Sequence, residues 1–155
     1  MDSLIPPRHP PARAGFTRLE ILIAAVSLAL LGLLSLPLVE HVREKRRAAA
    51  FIDELRRIEH SLNQCERERG RLPPDTEAGV MPADLALYLA KLDFATPTPL
   101  GGRWDWDRQP AYQRLSVAGL EAARALLIDE MIDDGNLRTG NVRFDGQFRY
   151  YLWWR

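Results

Sequence analysis

The sequence predicts an α+β protein in which a long N-terminal helix packs, through its second half, on a small antiparallel-sheet domain. Three observations carry this. Residues Ile21–Val39, nineteen in all, hold no charged side chain. From Glu40 to Arg69 there is no Pro or Gly, and Ala48, Phe51, Leu55, Ile58, Leu62 and Cys65 recur at steps of 3, 4, 3, 4 and 3, the spacing of one helix face. Beyond Gly70 the chain breaks into short alternating segments separated by turn residues, as antiparallel strands do.

Composition narrows the classes of function. Among 155 residues, 21 Lys and Arg balance 21 Asp and Glu, so a charge-driven nucleic-acid binder is excluded. A hydrophobic content of 46% excludes a wholly disordered chain. The single cysteine, Cys65, excludes an intrachain disulfide and a cysteine-built zinc site. It falls on the apolar stripe, where a packed thiol is expected rather than a reactive one.

The elements follow in order. Residues 1–15 carry Pro6, Pro7, Pro10 and Pro11, which keep the segment out of a regular helix. Helix begins near Phe16. At about 1.5 Å per residue, Ile21–Val39 spans roughly 28 Å, close to the hydrocarbon thickness of a bilayer. The run is apolar on every face, so a surface helix does not fit, and a chain this small cannot wrap it in a core. It is also longer than the apolar region of a cleaved secretory signal, and Pro37-Leu38-Val39-Glu40 is a poor cleavage site. Arg8, Arg13 and Arg18 precede the run and Arg43, Lys45, Arg46 and Arg47 follow it, so flanking charge leaves the topology open. Gly70 and Pro73-Pro74 stop the helix. The 48–65 stripe either pairs with another chain or docks within its own. The need of residues 70–155 for an apolar partner favours docking.

In the C-terminal part, Met81-Pro82-Ala83-Asp84 opens a short helix with Leu85, Tyr88, Leu89 and Leu92 on one side. Arg103–Asp107 alternates tryptophan with other residues and reads as a strand with Trp104 and Trp106 inward, and Tyr112–Val117 as a second. Gly119–Asp134 reads as a helix with Leu120, Ala123, Leu127 and Met131 on one apolar face, Ile128 and Ile132 beside them. Asn141–Phe144 and Phe148–Trp154 read as a hairpin across Asp145-Gly146-Gln147, with Phe148, Tyr150, Leu152 and Trp154 on one face.

The junction Ala14-Gly15-Phe16-Thr17-Arg18-Leu19-Glu20, running straight into the apolar stretch, resembles the N-terminal cleavage and methylation segment of type IV pilins and type II secretion pseudopilins. The resemblance covers about residues 13–40. Arg18 departs from it, standing where the family carries an aliphatic residue. The loop Thr98–Gly102 with Trp104-Asp105-Trp106, and the stretch Ile132–Gly140, are similar to segments of pseudopilin-like proteins.

The resemblance implies the pilin-like version of the predicted fold. It divides the chain into a leader (1–15), a transmembrane assembly helix (16–39), its amphipathic continuation (40–69) and a small periplasmic α+β domain (70–155). Prepilin peptidase would cut after Gly15, Phe16 would be the N-methylated first residue, and Pro37 would bend the helix. Glu20 would meet the terminal ammonium of a neighbouring subunit and set its register. The bland reading of Glu20 is a first-turn carboxylate favoured by the helix dipole, or paired to its own terminus. The implied protein is no enzyme. It is a pilin or pseudopilin subunit held in the inner membrane with its N-terminus cytoplasmic, then assembled into a filament. Its partners would be related subunits, the peptidase, an inner-membrane assembly platform and lipid, with no nucleic acid. The alternative is an unprocessed single-pass membrane protein with a coiled-coil stem and a partner-binding domain.

No nucleophile–base pair, phosphate loop or metal-ligand spacing is present, an EF-hand pattern included, and no cofactor is expected. The one metal reading is calcium at Asp129, Asp133 and Asp134, with Glu130 and Asn136 close by, since calcium takes several oxygens. Solvated carboxylates at a helix end are the plainer reading.

Overall fold

The computed structural model describes residues 16–89 and 91–152, with positions 33–38 described by backbone alone. Gly15, Trp153, Trp154 and the side chain of Pro37, at which a bend is expected, lie outside the described residues. The chain forms two compact units, 1–40 and 41–155. One helix, α1 (Arg18–Arg69), contributes to both.

In the first unit every described side chain from Phe16 to Gly32 is exposed. Leu19, Ile21, Leu22, Leu28 and Leu31 each leave more than half of their surface uncovered. Among the described residues no helix is long and apolar enough to cross a membrane. The predicted stretch Ile21–Val39 includes 33–38, which lie outside that description.

The second unit is organised by the stripe. Ala48, Phe51, Leu55, Ile58, Leu62 and Cys65 are all buried, so the stripe is used within its own chain. α1 ends where Gly70 takes a left-handed φ of 68° and its N–H bonds Glu66 O at 2.8 Å, a glycine cap that a residue with Cβ enters only with strain. A four-residue helix α2 (Ala83–Ala86) is latched to that end by the Arg69–Asp84 ion pair and by Tyr88 Oη donating to Glu68 Oε2 at 2.8 Å.

The strands β1 (Trp104–Gln109), β2 (Tyr112–Val117), β3 (Val142–Phe144) and β4 (Phe148–Tyr151) form one antiparallel sheet in the order β1-β2-β4-β3. Strand alternation sends Trp104, Trp106, Leu115, Val117, Val142 and Phe148 inward, all buried. The Phe51 ring lies 4.7 Å from Trp104 and 5.3 Å, edge-on, from Phe148, within the favourable range for aromatic pairs. Both indoles satisfy their N–H groups, Trp104 at Glu54 Oε2 (3.0 Å) and Trp106 at Pro73 O (3.2 Å). The open edge of β1 is closed by the preceding segment, Gly79 N donating to Trp104 O at 2.8 Å and Thr76 N to Trp106 O at 3.3 Å, which removes a site for strand addition.

The loop before β1 turns on Gly102. A Cβ there would lie 2.2 Å from Ala118 O, so only glycine lets the loop close against the end of β2.

Helix α3 (Ala122–Ile132) differs from expectation in the face it buries. Ala125, Ile128 and Asp129 are buried, whereas Ala123 is exposed and Met131 is 45% exposed. Leu127 and Ile132 are half-buried. Of the expected face, Leu120 is buried and Leu127 packs on the core, while Ala123 and Met131 turn outward and Ala125, Ile128 and the Asp129 carboxylate take the inward positions.

Phe51→Ala removes the ring that Trp104 and Phe148 share and leaves a cavity with few ways to collapse. It is expected to destabilise the chain by about 3–5 kcal/mol, and Arg46→Ala, on the exposed face, by less than about 0.5 kcal/mol. Denaturant unfolding of the two variants checks this.

Candidate functional site

Two places hold the residues that the sequence singles out. The first is the start of α1. Phe16 is exposed and non-helical, and Gly15 lies outside the described residues. Glu20 is engaged within its own first turn: the Thr17 backbone N–H donates to its Oε2 at 2.7 Å and the Thr17 hydroxyl to the same oxygen at 2.9 Å. In return the Glu20 N–H donates to Thr17 Oγ1 at 3.2 Å. This is a reciprocal capping box, in which threonine and glutamate each satisfy a donor that the helix start leaves over. Every atom of it lies in residues 17–20, on the C-terminal side of the Gly15–Phe16 bond. In the uncut chain Glu20 is a first-turn carboxylate bonded to Thr17. Thr17 went unremarked in the sequence, although Thr-x-x-Glu ahead of an apolar run is the signal for it.

The second place is the end of α3. Asp129 is wholly buried, and neither of its carboxylate oxygens has a hydrogen-bond partner among the described residues. Asp133 and Asp134 follow one turn later, and one oxygen from each of the three carboxylates lies within 4.8 Å of the others.

The loop after the helix holds the two outer members in place. Asp133 Oδ2 accepts from the backbone N–H groups of Asn141 (2.5 Å) and Val142 (2.8 Å), tying the helix end to the edge of β3. Asp134 accepts from Asn136 N at 2.9 Å and from the Thr139 hydroxyl at 2.6 Å. Gly140, at φ 70°, leaves room for Asp133: a Cβ there would lie 2.2 Å from Asp133 Oδ2.

The electrostatics separate the acids. Burial, then the charges of Asp133 and Asp134, push Asp129 up to about 6, against the weaker pull of the Asn136 N–H that Asp134 accepts. The Thr139 hydroxyl, then the Asn136 N–H, hold Asp134 below the usual carboxylate range. A buried carboxylate without a donor is costly when ionised. It is relieved by a proton or by a cation. The donor set, three carboxylates converging from a helix end and a loop, suits a hard oxygen-seeking cation such as calcium. The sequence identified Asp129, Asp133 and Asp134 together, and the structure brings them together. Hidden from the sequence was that Asp129 points inward, which makes it the unsatisfied member.

An α1 helix entering a core against a four-stranded antiparallel sheet, with a short helix before the sheet and another inside it, is the fold of a type IV pilin. The major type IV pilin PilA1 of Clostridium difficile superposes with a TM-score of 0.52 over 70% of this chain and 95% of that one, at 14% identity. No protein-family model and no curated protein sequence matches the chain.

Because Asp129 is harder to ionise in the folded chain than in the unfolded one, it holds its proton longer in the fold. Its contribution to stability is favourable below about pH 4 and is lost as pH rises through about 6. Without divalent cations, the Tm change from pH 5 to pH 7 is therefore expected to be more negative in the native chain than in Asp129→Asn. Thermal unfolding of both proteins in chelator at the two pH values measures the difference.

Proposed function

We propose that the chain is a pilin-like structural subunit, made as a precursor, cut by prepilin peptidase after Gly15, methylated at Phe16 and assembled with copies or relatives of itself into a filament of a type IV pilus or type II secretion system. The observation that carries this is a pilin fold in the second unit joined to a pilin-like junction in the first. The exposed apolar surface of Phe16–Gly32 supports it, because a helix apolar on every side needs lipid or other helices around it.

In this reading Ile21–Val39 holds the subunit in the inner membrane, N-terminus cytoplasmic and domain periplasmic, until an assembly platform extracts it. Pro37 bends or loosens the helix there. Glu20 would meet the ammonium of Phe16 on a neighbour. A carboxylate near lipid costs a few kcal/mol at a helix centre unless partnered. The Thr17 cap supplies part of that partnership in the free subunit, and the neighbour's ammonium supplies opposite charge in the filament.

The same cap favours one alternative, an unprocessed single-pass protein, since it accounts for Glu20 without any neighbour. A coiled-coil stem finds no support, because the stripe that would form it is used in the domain core.

Mass spectrometry of the membrane-extracted protein is expected to find a chain beginning at N-methylated Phe16. An intact Met1 in assembled material would leave the unprocessed alternative. Glutamine keeps the capping oxygen and discards the charge. Glu20→Gln and Glu20→Ala are therefore expected to be processed normally and to fail in assembly, while Thr17→Ala assembles. Filaments of Glu20→Gln at the native level, seen by electron microscopy, would reduce Glu20 to a helix cap.

Calcium is proposed as the cation of the acidic cluster, held by Asp129, Asp133 and Asp134. When bound it would neutralise the buried carboxylate and reinforce the tie between α3 and β3. Saturating calcium is expected to raise the Tm of the native chain at pH 7 by several degrees, about 2–3 kcal/mol at one hundred times its Kd, and to leave Asp129→Asn nearly unmoved. Equal shifts in the two proteins would remove the site.

A further inference from the structure

The second unit carries a groove of about 620 Å³ between α1 and the segment that follows α2. Leu89 and Leu92 supply apolar surface, and Arg56, Arg57, His60 and Lys91 line it beside one carboxylate, Asp53. Arg56, Arg57 and Lys91 are exposed, and none of them forms a salt bridge among the described residues. Arg57 faces Glu54, and Arg56 faces Glu59. Both acids lie on the same helix and are half-buried, one of them occupied by the Trp104 indole. Along its lining the groove therefore combines an apolar floor with three cations against one carboxylate.

The complement of that surface lies on the same chain. The face of α3 turned from the core exposes Leu126 and Met131, at 36% and 45%, with Glu130 exposed between them and Asp133 and Asp134 just beyond. A calcium ion on the cluster would leave Glu130 outside it and the end of the helix still negative. Apolar side chains set among acids match leucines set among arginines.

We propose that α3 of one copy docks in this groove of the next, with Met131 and Leu126 on Leu89 and Leu92, and Glu130 against Arg57 and Lys91. Groove and helix face are different surfaces of one chain, so the contact is heterologous. Repeated without closure it gives an open helical polymer rather than a dimer. This interface deepens the filament reading and rests on it. Opposite charge across the contact sets its register and excludes like-charged alternatives.

The test uses the full chain in the membranes of expressing cells. A copy with Leu92→Cys is expressed with a differently tagged copy carrying Met131→Cys, and the disulfide-linked pair is scored under oxidising conditions. The mixed pair is expected at about ten times the level given by either copy alone. Arg57→Glu with Lys91→Glu on the first copy is expected to lower it about tenfold, and Glu130→Lys on the second to recover most of the loss. A mixed pair no more abundant than the controls overturns the interface, as does a reversal at Arg57 and Lys91 without effect in chains that remain folded by protease resistance. Filament imaging of the same cells separates the two readings. Filaments without the cross-link overturn this interface alone, and the cross-link without filaments overturns the filament reading alone.

Discussion

The domain depends on one face of one helix. Residues 70–155 contribute short strands, a four-residue helix and an eleven-residue one, and none of these can bury enough apolar surface by itself. The stripe from Ala48 to Cys65 supplies what they lack. Phe51, its second member, touches Trp104 at one edge of the sheet and Phe148 near the other, so a single side chain links the first and last strands to the helix. The polar attachments follow the same line. Glu54 receives the Trp104 indole. Glu59 lies beside Tyr150, whose hydroxyl is pushed up to about 12, first by burial and then by that acid.

α1 carries two apolar surfaces with different physical meanings. From Ala48 onward the apolar residues repeat at helical spacing and charges fill the other faces, so the chain itself completes the burial. From Phe16 to Gly32 they surround the helix, and the described residues leave them exposed. A stripe identifies a protein interior; an encircling surface identifies an exterior that must come from elsewhere. The change between the two occurs near Glu40, where charge returns to the sequence and where the two compact units divide.

What was legible in the sequence follows from this. The stripe, the inward tryptophans and the tight turns each have a period or a residue type that forces them, and strand β2 lies where its alternation places it. The α3 face was not legible. Its apolar residues surround most of the helix, so periodicity chooses weakly between faces, and the natural choice sets Asp129 outside. The structure does the reverse, burying Asp129 and exposing Met131, because Ala125 and Ile128 lie on the side that meets the core. The Thr17–Glu20 box was legible in principle, as a four-residue pattern, but the apolar run directs attention past it.

The two candidate sites also differ in how far the chain accounts for them. At Glu20 the carboxylate already accepts from Thr17 twice, so its local electrostatics are settled and only its position at the edge of an apolar helix calls for a further partner. At Asp129 the position is settled and the electrostatics are not. Both oxygens are buried without a well-formed hydrogen bond among the described residues, beside two more carboxylates whose lone pairs are engaged by the 133–142 loop. An ionised carboxylate in that state costs several kcal/mol unless a positive charge joins it. The stronger physical demand for an external partner therefore falls on the second unit, residues 41–155. Whatever residues 16–32 do, that demand belongs to the domain itself.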